Sequence, residues 1–448
     1  MDQNKSKKML EEGAFGTLLL KLSLPAVVVI VIMIIYNIAD TYFIGQTGDP
    51  NKIAAISLSM PVFGLLSGLG TLLGTGGTTV LSMAYGQGDE SKVKKTSAFC
   101  LASGGVTGLL FFGAIYFFTE PLALLLGADQ DTLELTLVYL RVFAFSAPLV
   151  VLNQSFGSLM RADGDATLAM LVTMSGTVLN ILLDWLFVII FKWDVFGAAL
   201  ATDLGNALTT VLLFVIVLRK KKMLIPGIKD FAFDPALAGR IVSLGLPMSC
   251  STALSSVSNT IQNRLMISHG ATALAAQGVA GKVGMVVTML IMGVCIGMQP
   301  AISFNYGAKN IKRMKWVVRN TGIFSVALGI VLSILAFIFK DAVVAAFIEN
   351  EEVIAYGRVF VFAAVIVGPF YAIYQLCQTY MQSTGKASYA IVASLLDKGL
   401  IFIPVLYIAD AVSGVYGIAF SHAITMVFTL IVTVILTLKW TKSLDRKL

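Results

Sequence analysis

From Thr17 to Leu438 the chain is a succession of apolar stretches, each at or above the roughly 20 residues that carry a helix across a bilayer. Short polar links separate them, and no segment is left that could bury a soluble core. Only 13% of the 448 residues are charged, against about a quarter in soluble domains, so lipid is the main solvent of this chain. Backbone groups have no water partners there, which restricts the fold to helices or a closed barrel. The length and continuity of the stretches select helices.

Hydropathy and loop signals predict twelve spans: 17–45, 53–84, 96–118, 133–159, 167–191, 196–218, 241–267, 273–304, 317–339, 355–380, 388–409 and 415–438. The segment from Met1 to Gly16 mixes Lys5, Lys7 and Lys8 with Glu11 and Glu12. The apolar run after it is too long for a signal peptide, so the first helix is expected to be uncleaved. With a cytoplasmic N-terminus, 24 Lys and Arg fall on the cytoplasmic side and three, Lys52, Lys192 and Lys340, on the other. That bias predicts a multi-pass protein with both termini in the cytoplasm. It also accounts for the net charge of +7 without a nucleic-acid partner. Cys100, Cys250, Cys295 and Cys377 lie inside apolar stretches without metal-ligand spacing, and are expected to be packing residues.

The two halves superpose with a shift of about 221 residues. Leu24-Pro25 answers Leu246-Pro247, Asn37 answers Asn259, and Tyr85-Gly86 answers Tyr306-Gly307. Tyr139 to Phe143 answers Tyr356 to Phe360, Met160 and Gly164 answer Met381 and Gly385, and Val195-x-Gly197 answers Val415-x-Gly417. Six helices per repeat is an even number, so both repeats enter from the same side. The expected fold is an all-α membrane protein of twelve transmembrane helices in two parallel-repeat six-helix bundles. The N-terminal lobe is expected over 1–222, a cytoplasmic linker over 223–240 and the C-terminal lobe over 241–448. Prolines recur within spans and permit bending, with Pro25 and Pro247 present in both halves.

Polar side chains inside a span are costly unless they face a cavity or a partner. Asp40 on helix 1, Asn180 and Asp184 on helix 5, and Thr202 and Asp203 on helix 6 form a convergent set. Asn180 and Asp184 are four apart and share a helix face. A rise of about 1.5 Å per residue places Asp184 roughly 25 Å from the inner end of its helix and Thr202 roughly 10 Å from the outer end of its own. Carboxylates, an amide carbonyl and a hydroxyl are hard oxygen ligands suited to Na+, and a buried carboxylate is equally able to hold a proton. The coupling ion is therefore expected to be H+ or Na+, with no other cofactor. Tyr36, Asn37, Asn153 and Gln154 are expected to face this cluster. In the second half Asn180 and Asp184 align with Ile401 and Val405, so the cluster is not repeated. Arg264, Lys282, Asp397 and Lys398 lie within spans there, and internal pairing is their expected role.

Ile38-Ala39-Asp40-Thr41-Tyr42-Phe43-Ile44-Gly45, the Gly-rich helix 2 ending Ala84-Tyr85-Gly86-Gln87-Gly88, Arg161-Ala162-x-Gly164-Asp165 and Asn180-x-x-x-Asp184 recur in a known order. In these motifs the chain resembles the multidrug and toxic compound extrusion (MATE) family, and within it the MepA-like bacterial branch. The resemblance covers nearly the whole chain. It implies a multidrug efflux antiporter of the bacterial cell (inner) membrane. Amphipathic, mainly cationic drugs or dyes would be exported against H+ or Na+ by alternating access, from a monomer whose other partners are membrane lipids. It also implies a cation site on Asp40, Asn180, Asp184 and Thr202, with a bend at Pro25. Family members that use acidic residues on helices 7 and 10 differ from this chain, which has none in the interior of those spans.

The nearest alternative is a lipid-linked oligosaccharide flippase of the same superfold, whose pyrophosphate-binding cavity would draw on Arg264, Lys282 and Lys398. Tyr85 to Lys95 lacks the Gly-x-x-x-Asp-Arg-x-Gly-Arg pattern of major facilitator proteins. An intramembrane enzyme would need a nucleophile with its base, or metal ligands at helical spacing, and neither is present in the sequence.

Overall fold

In lipid every backbone N–H and C=O must find its partner inside the element, and each described regular element is a helix. The computed structural model describes all residues except 1–2, 46–48, 220–223, 232, 348–350 and 447–448. It leaves undescribed the side chains of 3–6, 37–42, 44–45, 50, 228, 271, 343, 345–347 and 351–353.

The first repeat comprises α1 (Leu24–Gly45), α2 (Pro50–Gln87), α3 (Glu90–Phe117), α4 (Ser146–Met160), α5 (Ala166–Asp184) and α6 (Asp194–Arg219). The second comprises α7 (Pro235–Ser268), α8 (Ala271–Gly307), α9 (Ile311–Ile338), α10 (Gly368–Ser383), α11 (Ala387–Leu395, continuing to 413) and α12 (415–445). Among the described residues ten helical stretches are long and apolar enough to span a bilayer. Two of them, Ser146–Ile190 and Ala387–Asp445, each hold two of the expected spans. They are divided at Gly164 (φ 90°) and Gly414 (φ 56°), which brings the helices to twelve.

The internal repeat extends to backbone conformation. Left-handed residues close the equivalent links: Gly88 (φ 73°) and Lys309 (φ 57°) after α2 and α8, and Gly164 and Gly385 (φ 82°) after α4 and α10. Asp194 (φ 49°) and Gly414 do the same before α6 and α12. The next residue after the first of these links also recurs as a cap. Asp89 accepts from Lys92 N at 2.9 Å and Asn310 from Arg313 N at 3.1 Å, each satisfying an N-terminal donor of the helix that follows. Two spans expected as single helices are each broken just before a proline. Leu133–Phe143 precedes α4 with Pro148 in its first turn, and Glu351–Val365 precedes α10 with Pro369 in its first turn. Proline is tolerated at a helix start, where its missing N–H costs no hydrogen bond.

α12 shows how lipid inverts the usual amphipathic pattern. Ser421, Thr425, Thr429 and Thr433, spaced by four, are fully buried, while Phe428, Ile431, Ile435 and Leu438 are exposed. Small hydroxyl residues let helices approach closely, and the large apolar side chains face outward.

The chain divides into two compact units. Unit one is Met1–Lys8 with Val28–Gly245, and unit two is Met9–Val27 with Leu246–Leu448. The sequence places all of helix 1 in the first lobe and starts the second at 241; the packing of residues 9–27 and 235–245 differs from that division. Ser23 Oγ donates to the Val294 carbonyl at 3.0 Å, Leu10 O accepts from Asn305 Nδ2 at 3.0 Å, and Phe15 packs edge-on to Trp316. Residues 235–245 belong instead to unit one, where Gly76 lies under the Ile241 carbonyl and Gly245 under that of Leu72.

Candidate functional site

In unit one the approach of α5 to α6 builds the site. A Cβ placed on Gly205 would lie 2.8 Å from the Gly176 carbonyl and 2.9 Å from Asn180 Cβ, so only glycine allows this separation. The close approach sets Asn180 Nδ2 at 3.5 Å from Thr202 Oγ1. Asn180, Asp184 and Thr202 are all buried. Asn180 Oδ1 is sealed from solvent and accepts no hydrogen bond among the described residues. Asp184 ends the regular part of α5, and the helix then widens into π-type turns over Trp185–Ile190. Such turns occur as single-turn insertions, often at functional sites.

A cavity of about 160 Å³ opens beside Asn180 and Thr202. Tyr36, Phe63, Asn153, Gln154, Arg161 and Asn206 also line it. The structure thus brings Tyr36, Asn153, Gln154, Asn180 and Thr202 to one cavity. Asp184 is buried one turn further along α5 and does not line the cavity. The side chains of Asn37 and Asp40 lie outside the described residues. Asp203 does not face the cavity: its carboxylate accepts a short hydrogen bond from Ser146 Oγ at the start of α4. Pro25 is buried in the first turn of α1, directly after the wider turns Leu19–Ser23, in the segment that packs with unit two.

Sequence reasoning missed the network that supports these groups. Asn206 Nδ2 donates to the Thr202 carbonyl at 3.0 Å and lies 3.5 Å from Ser146 Oγ. Asn153 Nδ2 donates to Asn206 O and Oδ1 at 3.1 and 3.2 Å, and Thr210 Oγ1 donates to Asn153 Oδ1 at 2.8 Å. Four-residue spacing from Thr202 through Asn206 to Thr210 was the available signal. Arg161 Nη2 donates to Ser158 Oγ, and it brings a guanidinium to the cavity wall.

Unit two contains a larger cavity, about 730 Å³, with a wall of Met285, Met289, Met292, Phe360 and Tyr374. Lys282 and Lys398 line it, and Arg264 does not. Drug-sized ligands occupy roughly 300–1,000 Å³. By that measure the first cavity is too small for a drug and large enough for an ion with water, while the second has room for one.

A family model for MatE matches residues 25–186 and, again, residues 247–408. The chain belongs to the MatE family. The two matches start at Pro25 and Pro247, the prolines that open the repeat. The multidrug export protein MepA of Staphylococcus aureus is 30% identical over 399 residues, spanning 89% of this chain and 88% of the relative. MepA of Staphylococcus saprophyticus is 29% identical over the same shares of the two chains. A solved structure of MATE in complex with MaD3S superposes with a TM-score of 0.93 at 20% identity, covering 99% of both chains. A MOP superfamily transporter from Pyrococcus furiosus, described as having a binding pocket of reversed polarity, superposes with a TM-score of 0.91 at 20% identity. It covers 98% of this chain and 99% of its own. These structures bear out the twelve-helix fold, and the MepA relatives are named as multidrug export proteins.

Proposed function

We propose that this MatE protein is an antiporter that exports amphipathic, mainly cationic compounds in exchange for H+ or Na+, with the coupling ion handled in unit one. The observation that carries this reading is the buried pair Asn180 and Thr202 at a small cavity, with Asp184 one turn along the same face of α5. Asn180 Nδ2 is turned to Thr202, which leaves Oδ1 as an oxygen sealed from water. Leaving such a group unpaired costs about 1–3 kcal/mol, which an arriving cation or a protonated neighbour would relieve. Asp184 supplies the negative charge, and Asp40 on α1 is assigned the same part.

In this reading the ion and the drug compete for one conformational equilibrium. Neutralising these carboxylates with H+ or Na+ favours one state, and drug binding favours the other, so that each ligand's differential affinity drives the other's movement. Pro25 is the point at which α1 would bend, because the residue lacks the N–H that would tie it to the preceding turn.

The direct test is export of a cationic dye from bacterial cells producing the wild type or Asp184→Asn. The variant is expected to reach the membrane in equal amount and to export no dye. Wild-type export by Asp184→Asn would overturn the assignment.

A further inference from the structure

The large cavity of unit two carries a charge arrangement that a site for cationic compounds does not require. On its wall, Lys398 Nζ lies 2.9 Å from Asp397 Oδ2. Neighbouring residues on a regular α-helix point about 100° apart and do not face each other. They meet here within the π-type turns into which α11 widens over Leu396–Leu400. Such a turn breaks the regular pairing of carbonyls with N–H groups, and the Lys398 carbonyl accepts a short hydrogen bond from Ser258 Oγ of α7. A second tie fixes α11 from the other side, where Gln378 Nε2 of α10 donates to Ser394 Oγ in a short hydrogen bond. The pair is thus held in place by both neighbouring helices.

The two partners are presented unequally. The Asp397 side chain is 0% exposed and that of Lys398 is 22% exposed. Both residues line the cavity, the carboxylate buried behind the partly exposed lysine side chain. An ammonium has three donors, and Asp397 engages it from one side only. Lys282 lines the same cavity, as do the hydroxyl and amide side chains of Ser255, Asn259 and Gln375, while Met285, Met289 and Met292 supply an adaptable apolar wall.

We propose that this cavity binds amphipathic molecules that carry an anionic group, a carboxylate or a phosphate, and that the Lys398 ammonium grips that group while the buried Asp397 orients it. The chemistry extends the range of ligands to zwitterions and anionic amphiphiles, and it is independent of where the coupling ion sits.

Binding to the purified full-length protein in phosphatidylcholine nanodiscs tests the proposal without depending on export. The probes are a rhodamine with a free carboxylate and its methyl ester, followed by fluorescence anisotropy. The wild type is expected to bind the acid at least about ten-fold more tightly than the ester. Lys398→Gln alone strands a buried carboxylate and risks misfolding. The neutral double variant Asp397→Asn/Lys398→Gln avoids this and is expected to lose the preference while still binding the ester. Displacement of the acid dye by short-chain phosphatidylglycerol would support the site with a lipid headgroup as its natural occupant. Failure of that lipid to displace the dye would support it with a free carboxylate compound as occupant. Equal binding of acid and ester by the wild type, or an undiminished preference in the double variant, would overturn it.

Discussion

At the residue scale, two buried carboxylates of unit one have different surroundings despite similar positions in the sequence. Asp203 is held by Ser146 and turned from the cavity, whereas Asp184 shares a face with Asn180. Asp203→Asn is therefore expected to keep dye export and lose some thermal stability, the reverse of Asp184→Asn; loss of export at normal stability would place Asp203 in the coupling machinery. Asn206 joins Thr202, Ser146 and Asn153 in one network. Asn206→Ala leaves several of these groups unpaired and should cost about 1–3 kcal/mol, read as a lower melting temperature in detergent. Lys309 is a non-glycine residue in the left-handed conformation that Gly88 occupies in the other repeat. Lys309→Gly should stabilise by about 1 kcal/mol and Gly88→Ala destabilise by a similar amount, both measurable by thermal unfolding.

At the element scale, glycine contacts and widened turns set the geometry. A methyl group on Gly205 meets the Gly176 carbonyl and Asn180 Cβ inside normal contact distance, so Gly205→Ala must push α5 from α6. The expected result is a loss of about 1–3 kcal/mol together with weakened ion dependence of transport, because the Asn180–Thr202 approach is lost with the spacing. Unchanged ion dependence would show that the approach is not needed. Much of this was legible in the sequence. The helices followed from hydropathy, the repeat from Tyr85-Gly86 against Tyr306-Gly307 and its companions, and the pairing of Asn180 with Thr202 from polar residues in adjacent spans. The widened turns at Leu19–Ser23, Arg161–Asp165, Trp185–Ile190 and Leu396–Leu400 were not legible, since they have no composition of their own and arise from tertiary packing. Internal pairing of Asp397 with Lys398 was legible from opposite charges within one span, and the widened turn in which the pair sits was not. Ser146 escaped notice because the break before Pro148 turns it toward α6, and an unbroken helix gives no reason to expect that.

At the scale of the whole molecule, duplication produced one scaffold and two chemistries. Both repeats keep the same left-handed links, the same caps and the same breaks before Pro148 and Pro369. Between these fixed points the side chains have diverged. Unit one encloses a cavity of about 160 Å³ beside buried oxygen groups, and unit two a cavity of about 730 Å³ walled by methionine and aromatic residues. A small polar cavity suits an ion, and a large adaptable one suits varied organic ligands. An ion gradient acting through unit one is proposed to drive export. Dye transport into proteoliposomes holding inside-out protein, under an imposed pH gradient with and without Na+, tests it most directly. One of the two gradients is expected to drive uptake by the wild type and neither to drive uptake by Asp184→Asn; gradient-driven uptake of equal rate in both proteins would overturn the assignment of the ion to unit one.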